Sequence, residues 1–418
     1  MNYFKNLTLV IIALYTTCSF GQLTVDAEVR PRFEYRHGFK TLFPDNTDPA
    51  AFVSQRTRLN AGYTLENLEF YLSFQDVRVW GDVSQLNTAD KNGLAVHQAW
   101  AKFNLDNKLA LKVGRQEIIY DDSRIMGNVG WAQQARSHDA AVFKVKGEST
   151  KLDVGFAFNQ DGEALTGTTL TTPKTYKAIQ YAWFNKKWTD FSASFLFLNN
   201  GMQYIDTNDA DNNETRYSQT VGTHLKYKKG KFALSSNLYY QFGKDVNDNS
   251  LSAYLLALDA NYKASNTLNL IGGVELLSGN DDGAPANGDN NAFTPFYGTN
   301  HKFNGLMDYF YVGNHGNNVG LLDIYLKSKF KLNEKSSLLL ALHNFSTAAD
   351  YSEKNLGNEL DIVYNYKIQK NVKLTAGYSH LFPGDGMEVL KGNTDGNTNN
   401  WGWVMLTINP TLFKSSND

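Results

Sequence analysis

From Gln22 onward the sequence alternates apolar and polar residues one by one, the period of a strand with two unlike faces. Leu23, Val25, Ala27, Val29, Pro31, Phe33 and Tyr35 alternate with Thr24, Asp26, Glu28, Arg30, Arg32, Glu34 and Arg36. The pattern returns across 216–227, 232–242 and 372–379, and its polar partners often include Gly, Ser or Asn, which suits a wet interior. About 18 such segments begin near residues 23, 52, 68, 94, 108, 132, 152, 175, 189, 215, 231, 252, 267, 319, 336, 358, 371 and 400. Past residue 21 no stretch carries an apolar stripe at helical spacing.

The connections add a second regularity, because they alternate short and long. Leu65–Asn67, Asn104–Asn107, Gly147–Thr150 and Lys228–Gly230 are short; 37–51, 80–93, 120–131, 159–174, 279–318 and 382–399 are long and rich in Asn, Asp and Gly. A soluble sandwich or propeller has no reason to sort loop length by side. A closed antiparallel up-and-down β-barrel in a bacterial outer membrane does, with short periplasmic turns, long outer loops and an even strand number. Inside lipid every backbone polar group needs a partner, which a closed barrel supplies. The expected fold is therefore an all-β transmembrane barrel of about 18 strands with both termini periplasmic.

Composition agrees once the two faces are separated. Mean hydropathy is −0.42, which excludes a bundle of apolar helices, while 23 Tyr, 26 Phe and 7 Trp exclude a disordered chain. Averaging an oily face with a wet one gives a composition that looks soluble. The one continuous apolar run, Leu7–Phe20, follows Lys5 and ends in Ser19-Phe20-Gly21, the pattern of a secretory signal peptide. Residues 1–21 are thus expected to be removed, leaving 22–418 as a single barrel domain. Lipid attachment at Cys18 is disfavoured by its Tyr15-Thr16-Thr17 lead-in, so the mature chain has no thiol. Trp80, Trp100, Trp188, Trp401 and Trp403 near strand ends are expected to form aromatic girdles.

Arginine placement is the strongest hint of function. Of ten arginines, nine precede residue 140: Arg30, Arg32, Arg36, Arg56, Arg58, Arg78, Arg115, Arg124 and Arg136. Arg30 and Arg32 share the polar face of the first strand; Arg56 and Arg58 share that of the second. A hairpin centred near Pro44 would set Arg30 across from Arg58 and Arg32 across from Arg56. Opposed like charges are unfavourable in a sheet, so the cluster needs either Glu28 and Glu34 as partners or an anion. Arg136 alternates with Ala141, Phe143 and Val145 and should face inward. Arg115 has the lipid-facing phase of Leu109, Leu111 and Val113 unless a bulge at Gly114 switches it.

Val113–Val145, VGRQEIIYDDSRIMGNVGWAQQARSHDAAVFKV, resembles the alginate-export family of outer-membrane porins. So do Gln75–Asp82, His97–Trp100 and Phe296–Phe310, in the same order along nearly the whole mature chain. The resemblance implies an 18-stranded monomeric barrel with a basic lumen that passes a polyanionic sugar. It also implies that Arg115 and Arg136 line the pore constriction, beside the Arg30, Arg32, Arg56 and Arg58 read from pattern. A narrow wet pore focuses the field of such charges, and guanidinium grips carboxylate bidentately. Two readings of the arginines stay open, an anion path and a wall stiffened by Arg–carboxylate pairs.

The expectation is an anion-preferring channel for acidic saccharide, with outer-membrane lipid, lipopolysaccharide and barrel-assembly machinery as partners and no nucleic acid. A general or oligosaccharide-uptake porin, or a plugged receptor or adhesin barrel, is the alternative. No enzyme motif is present: Gly-x-Ser-x-Gly, His-Glu-x-x-His and a phosphate-cradling glycine loop are all missing. No cofactor is expected. Loop 279–318 carries Asp281, Asp282, Asp289 and Asp308, oxygen ligands of the kind Ca²⁺ takes, without EF-hand spacing. A solvated loop is the better reading, with inward folding as a lid also open.

Overall fold

A computed structural model describes residues 21–310, 318–392 and 396–415; the expected signal peptide lies almost wholly outside them. The strands are β1 (Gln22–His37), β2 (Ala50–Leu65), β3 (Leu68–Val79), β4 (Ala95–Asn104), β5 (Leu109–Gln116), β6 (His138–Lys146) and β7 (Thr150–Phe158). They continue with β8 (Ala178–Lys187), β9 (Phe191–Tyr204), β10 (Glu214–Lys229), β11 (Phe232–Lys244), β12 (Ser250–Lys263), β13 (Leu268–Leu277) and the two-residue β14 (Asp289–Asn290). The last are β15 (Leu321–Lys331), β16 (Ser336–Ser346), β17 (Asn355–Gln369), β18 (Val372–Pro383), β19 (Asn399–Ile408) and β20 (Thr411–Lys414).

Eighteen of these close an antiparallel barrel. Each pairs with its neighbour in sequence, β13 pairs with β15, and β19 returns to β1 with Val29 opposite Ile408 and His37 opposite Asn400. β14 is a bridge inside a long loop, and β20 continues the last strand past Pro410 along the start of β1. The expected strand starts fall within three residues of the observed ones except at the sixth, expected near 132 and found at His138. Residues 132–137 belong instead to a loop that turns into the barrel.

The outer surface is an apolar belt. Phe33, Leu59, Phe70, Phe143, Phe156, Phe195, Leu238, Leu256, Leu258, Leu326 and Val404 are all exposed. A patch of that extent suits lipid and would be a liability in water. On β12 the alternation is complete, with Tyr254, Leu256 and Leu258 outward and Leu251, Ala253, Leu255 and Ala257 buried inside. The buried set shows that part of the lumen is packed rather than wet. Against it lie Phe293, Met307, Tyr309 and Phe310, from the long loop after β13. Each such side chain contributes about 1.5–3 kcal/mol when fully buried, so this loop is seated as a core element. For residues 279–310 the solvated-loop reading of 279–318 is corrected in favour of inward folding, while 311–317 lie outside the described residues.

The girdle expectation needs correction too. Trp80 and Trp188 are exposed near strand ends, but Trp401 and Trp403 are buried, and Trp401 Nε1 donates to Glu34 Oε2 at 3.1 Å. Trp100 is also inward, stacked on Tyr71 at 5.4 Å. The run Trp401–Leu406 is apolar on both faces apart from Gly402, so its phase could not be read from alternation.

Candidate functional site

The lumen is narrowed by two segments, loop 117–137 after β5 and residues 278–310 after β13. They are tied to each other by backbone. Gly127 N donates to Tyr297 O (2.8 Å), Tyr297 N to Ile125 O (3.1 Å) and Thr299 N to Ser123 O (2.9 Å). A tight crossing requires glycine here: a Cβ on Gly298 would lie 2.3 Å from Arg124 O, and one on Gly127 would lie 2.3 Å from Thr299 Oγ1.

The arginine cluster meets the first of these loops. The β1–β2 register is Arg30 opposite Arg56 and Glu28 opposite Arg58, with Arg32 opposite Ser54. The expected pairs, Arg30 with Arg58 and Arg32 with Arg56, are therefore displaced by two residues, because the hairpin centre falls earlier than Pro44. A two-residue shift preserves the faces, so all four side chains keep the inward phase. Arg30 Nε and Nη2 donate to Gln133 Oε1 at 3.1 and 2.9 Å, Nη1 to Gly130 O at 2.9 Å, and Nη2 also to Trp131 O and Ala132 O at 3.3 Å. Arg32 donates to Glu34 Oε1 (2.8 Å) and Trp131 O (2.8 Å), with its guanidinium 4.1 Å over the Trp131 ring. Arg56 pairs with Glu28 at 2.6 Å and donates to Gln133 O at 3.3 Å. Arg58 donates to Gln75 Oε1 at 2.9 Å, while its buried Nη2 has no partner among the described residues.

Arg30, Arg32 and Arg56 thus grip carbonyl oxygens of residues 130–133. Gln133 answers from the loop, its Nε2 reaching Ser54 Oγ at 3.0 Å and Ser54 O at 3.2 Å. Gln75 Nε2 adds a bond to Gln134 O at 3.0 Å. Trp131 is the hub, stacked on His301 at 4.5 Å and edge-on to Trp403 at 4.7 Å.

Arg136 and Arg115 fall elsewhere. Arg136 lies in the loop rather than on β6, donates to Gly298 O at 3.1 Å and sits beside the Tyr297 ring. Burial lowers its pKa from the usual guanidinium value. Arg115 is half exposed and pairs with Asp139 at 2.8 Å on the face of Leu111, Val113 and Phe143. Gly114 does have φ +115°, and a Cβ there would lie 2.3 Å from Ala99 O. Pairing with β4 and β6 nevertheless runs through Gly114 without a slip, so no phase switch occurs. The lumenal position expected for Arg115 is corrected to the outer face at the long-loop end, where a charge costs about 0–1 kcal/mol.

The opposite wall is acidic and covered. Arg124 of the first loop donates to Glu275 Oε1 at 2.5 Å and Asn304 Oδ1 at 3.0 Å. Leu306 N and Met307 N donate to Glu359 Oε1 at 2.5 and 2.9 Å, and Asp323 receives His343 Nδ1 at 2.9 Å. Asp308 accepts from His301 Nδ1 at 2.6 Å and is buried, so it is engaged in the protein's own network. Among the described residues no group of three or more His, Cys, Asp or Glu is placed to hold a metal.

Loop 117–137 divides the space along the basic wall. On the long-loop side is a cavity of about 440 Å³ lined by Arg32, Arg36, Lys40, Arg78 and Trp131. On the short-turn side, adjoining cavities of about 410 and 390 Å³ share Lys102, Ile119, Tyr120 and Lys144. An 18-stranded barrel whose lumen is crossed by infolded loops with a cation-rich wall narrows the choice of family. The pattern of the alginate export family matches residues 21–400. The chain belongs to that family.

Solved structures agree on the fold. OccAB4 of Acinetobacter baumannii superposes with a TM-score of 0.62 at 12% identity over 94% of this chain and 99% of its own. OpdL of Pseudomonas aeruginosa gives 0.61 at 14% identity over 94% and 99%. OpdK of the same organism, crystallised with vanillate, gives 0.56 at 11% over 93% and 98%. No curated protein matches at a comparable level. For this alginate export family member, sequence reasoning missed Gln133, Trp131, Arg124 and Glu359 as site residues. Trp131, Gln133 and Arg124 lie in a loop, where nothing alternates, and only Arg124 carried a signal, as one more arginine of the early cluster; Glu359 lies on β17, and its partners are loop backbone N–H groups that every residue carries.

Proposed function

We propose that this outer-membrane channel passes acidic saccharide, a uronate polymer or its oligomers, along the β1–β6 wall. The observation that carries the reading is the asymmetry of the lumen. Lys102, Lys112 and Lys144 line one cavity and Arg32, Arg36, Lys40 and Arg78 another, while Arg30 and Arg56 lie buried behind loop 117–137 on the same inner face. The acids of the opposite wall, Glu275, Asp323, Glu359 and Asp361, are buried, and Asn304, Leu306 and Met307 hold the first three. Each cavity carries more cations than carboxylates, four against three on the long-loop side and three against two and five against two on the short-turn side, and a low-dielectric pore concentrates anions beside such an excess. Several weak sites in series favour passage over retention.

In this reading the short-turn end faces the periplasm, and the chain works as a monomer beside lipopolysaccharide. Block by oligouronate tests it. Purified protein in a planar bilayer should show current interruptions that lengthen with added oligouronate but not with a neutral oligosaccharide of equal length. Equal block by both, or by neither, would remove the substrate class. The vanillate in the OpdK structure supports a second reading, in which small organic carboxylates are the solutes. Current block by vanillate stronger than by oligouronate would favour it.

A further inference from the structure

Below loop 117–137, toward the short turns, lies a second cluster of cations that the arginine latch does not touch. Lys102 and Lys112 are directly opposed across β4 and β5. Lys144 of β6 sits opposite Ala110, one inward position along from Lys112. All three line the cavity of about 410 Å³. Opposed like charges cost a sheet stability, and the local acids offset only part of this. Glu69 is taken by Lys102 at 2.7 Å. Asp153 is bonded to Lys144 and receives Tyr120 OH at 2.7 Å. Glu117 is held by His97 at 2.8 Å and Asn128 at 2.9 Å. Among the described residues Lys112 has no carboxylate in ion-pair range; its ammonium rests 3.9 Å over the Trp100 ring.

The cavity is also aromatic. Trp100 stacks on Tyr71 on one side, and Tyr120 stacks on Trp183 at 4.6 Å on the other. Lysine ammonium is a mobile point charge with three donors, and an indole face presents a flat apolar surface with a polar edge. Together they match a pyranose ring bearing a carboxylate.

We propose that Lys102, Lys112 and Lys144, with Trp100 and Tyr120, form a discrete binding subsite for one uronate residue at the short-turn mouth. The carboxylate takes the Lys112 and Lys144 ammoniums, which draws Lys112 off the indole and frees that face for the sugar ring. Gln116, whose Nε2 donates to Ala140 O at 2.9 Å, braces the wall above it. The inference rests on the acidic-saccharide reading and adds a holding point in series with the arginine wall.

Equilibrium binding of detergent-purified protein tests it, with tryptophan fluorescence and calorimetry as readouts and a short oligouronate as probe. Wild type should bind the oligouronate and not a neutral oligosaccharide of equal length. Lys112→Gln with Lys144→Gln should weaken binding about tenfold or more, since both charged contacts to the carboxylate are lost. Lys112→Arg with Lys144→Arg should retain most of it, which separates lost charge from lost folding. Unchanged affinity in the Gln pair, equal binding of the neutral sugar, or no binding by wild type would each overturn the subsite. Bilayer selectivity is measured in parallel. Anion preference without oligouronate binding would sink the subsite and leave the channel, whereas binding without anion preference would do the reverse.

Discussion

Gln133→Ala removes the side chain that locks loop 117–137 to the barrel wall. Its Oε1 accepts from Arg30 Nε and Nη2, and its Nε2 donates to the Ser54 region of β2. Two bonds to a charged group at about 1.5–3 kcal/mol and one or two neutral ones at about 0.5–1.5 kcal/mol are lost. The loss is softened because Arg30 keeps the carbonyls of Gly130, Trp131 and Ala132, so that only its Nε is left without a partner. Water reaching the lumen softens it further. A net weakening of loop seating of about 2 kcal/mol remains, about a thirtyfold shift in the seated-to-released ratio. No ladder pairing of the barrel involves residue 133, so the wall should stay intact. Planar-bilayer recording should show a larger mean conductance and more frequent excursions above the main level. Gln134→Ala is the control, because that side chain is exposed and only its backbone carbonyl is used. If the two variants and wild type share one conductance and one noise level, the loop is not what limits the path.

Other substitutions probe the geometry independently. Arg115→Ala should leave ion selectivity unchanged, because the side chain lies on the outer face with Asp139; a clear loss of anion preference would return it to the lumen. Arg124→Ala strands Glu275, and breaking such a buried pair costs about 3–5 kcal/mol, so the midpoint of thermal unfolding should fall together with a rise in conductance. Gly305→Ala would put a Cβ 2.5 Å from the Glu359 carboxylate at φ +80°; the left-handed backbone alone costs about 1–2 kcal/mol, and protease nicking within residues 278–310 should increase. Anion preference should also fall as salt rises, since charges are screened over about 10 Å at 0.1 M but only about 3 Å at 1 M.

How much of this was legible in the sequence follows from where the period-two signal exists. Strands such as β1 and β11 oppose an apolar row to a polar one, so their number, order and faces could be read directly. Where both faces are apolar, as in β12 and at Trp401–Leu406, alternation gives a strand without a phase. That is why Trp401 and Trp403 were expected in a girdle and are found around Trp131. Register depends on the turn, and counting from Pro44 missed it by two residues, which kept the arginines inward but changed their partners. The latch was invisible because its acceptors are mostly backbone carbonyls, which every residue carries. The same carbonyls answer much of the question posed by the clustered arginines. Arg30 and Arg32 hold the constriction in place, while among the described residues Arg58 Nη2 has no acceptor and Lys112 no carboxylate in ion-pair range.

The central claim is that the cationic β1–β6 wall, rather than the covered acids opposite, sets the character of the path. Reversal potential under a salt gradient measures this most directly. Purified wild-type protein should give a potential of the sign that marks anion preference, and Arg58→Gln with Lys112→Gln should move it toward zero. A cation-selective potential in wild type, or one indifferent to that pair of substitutions, would contradict the account.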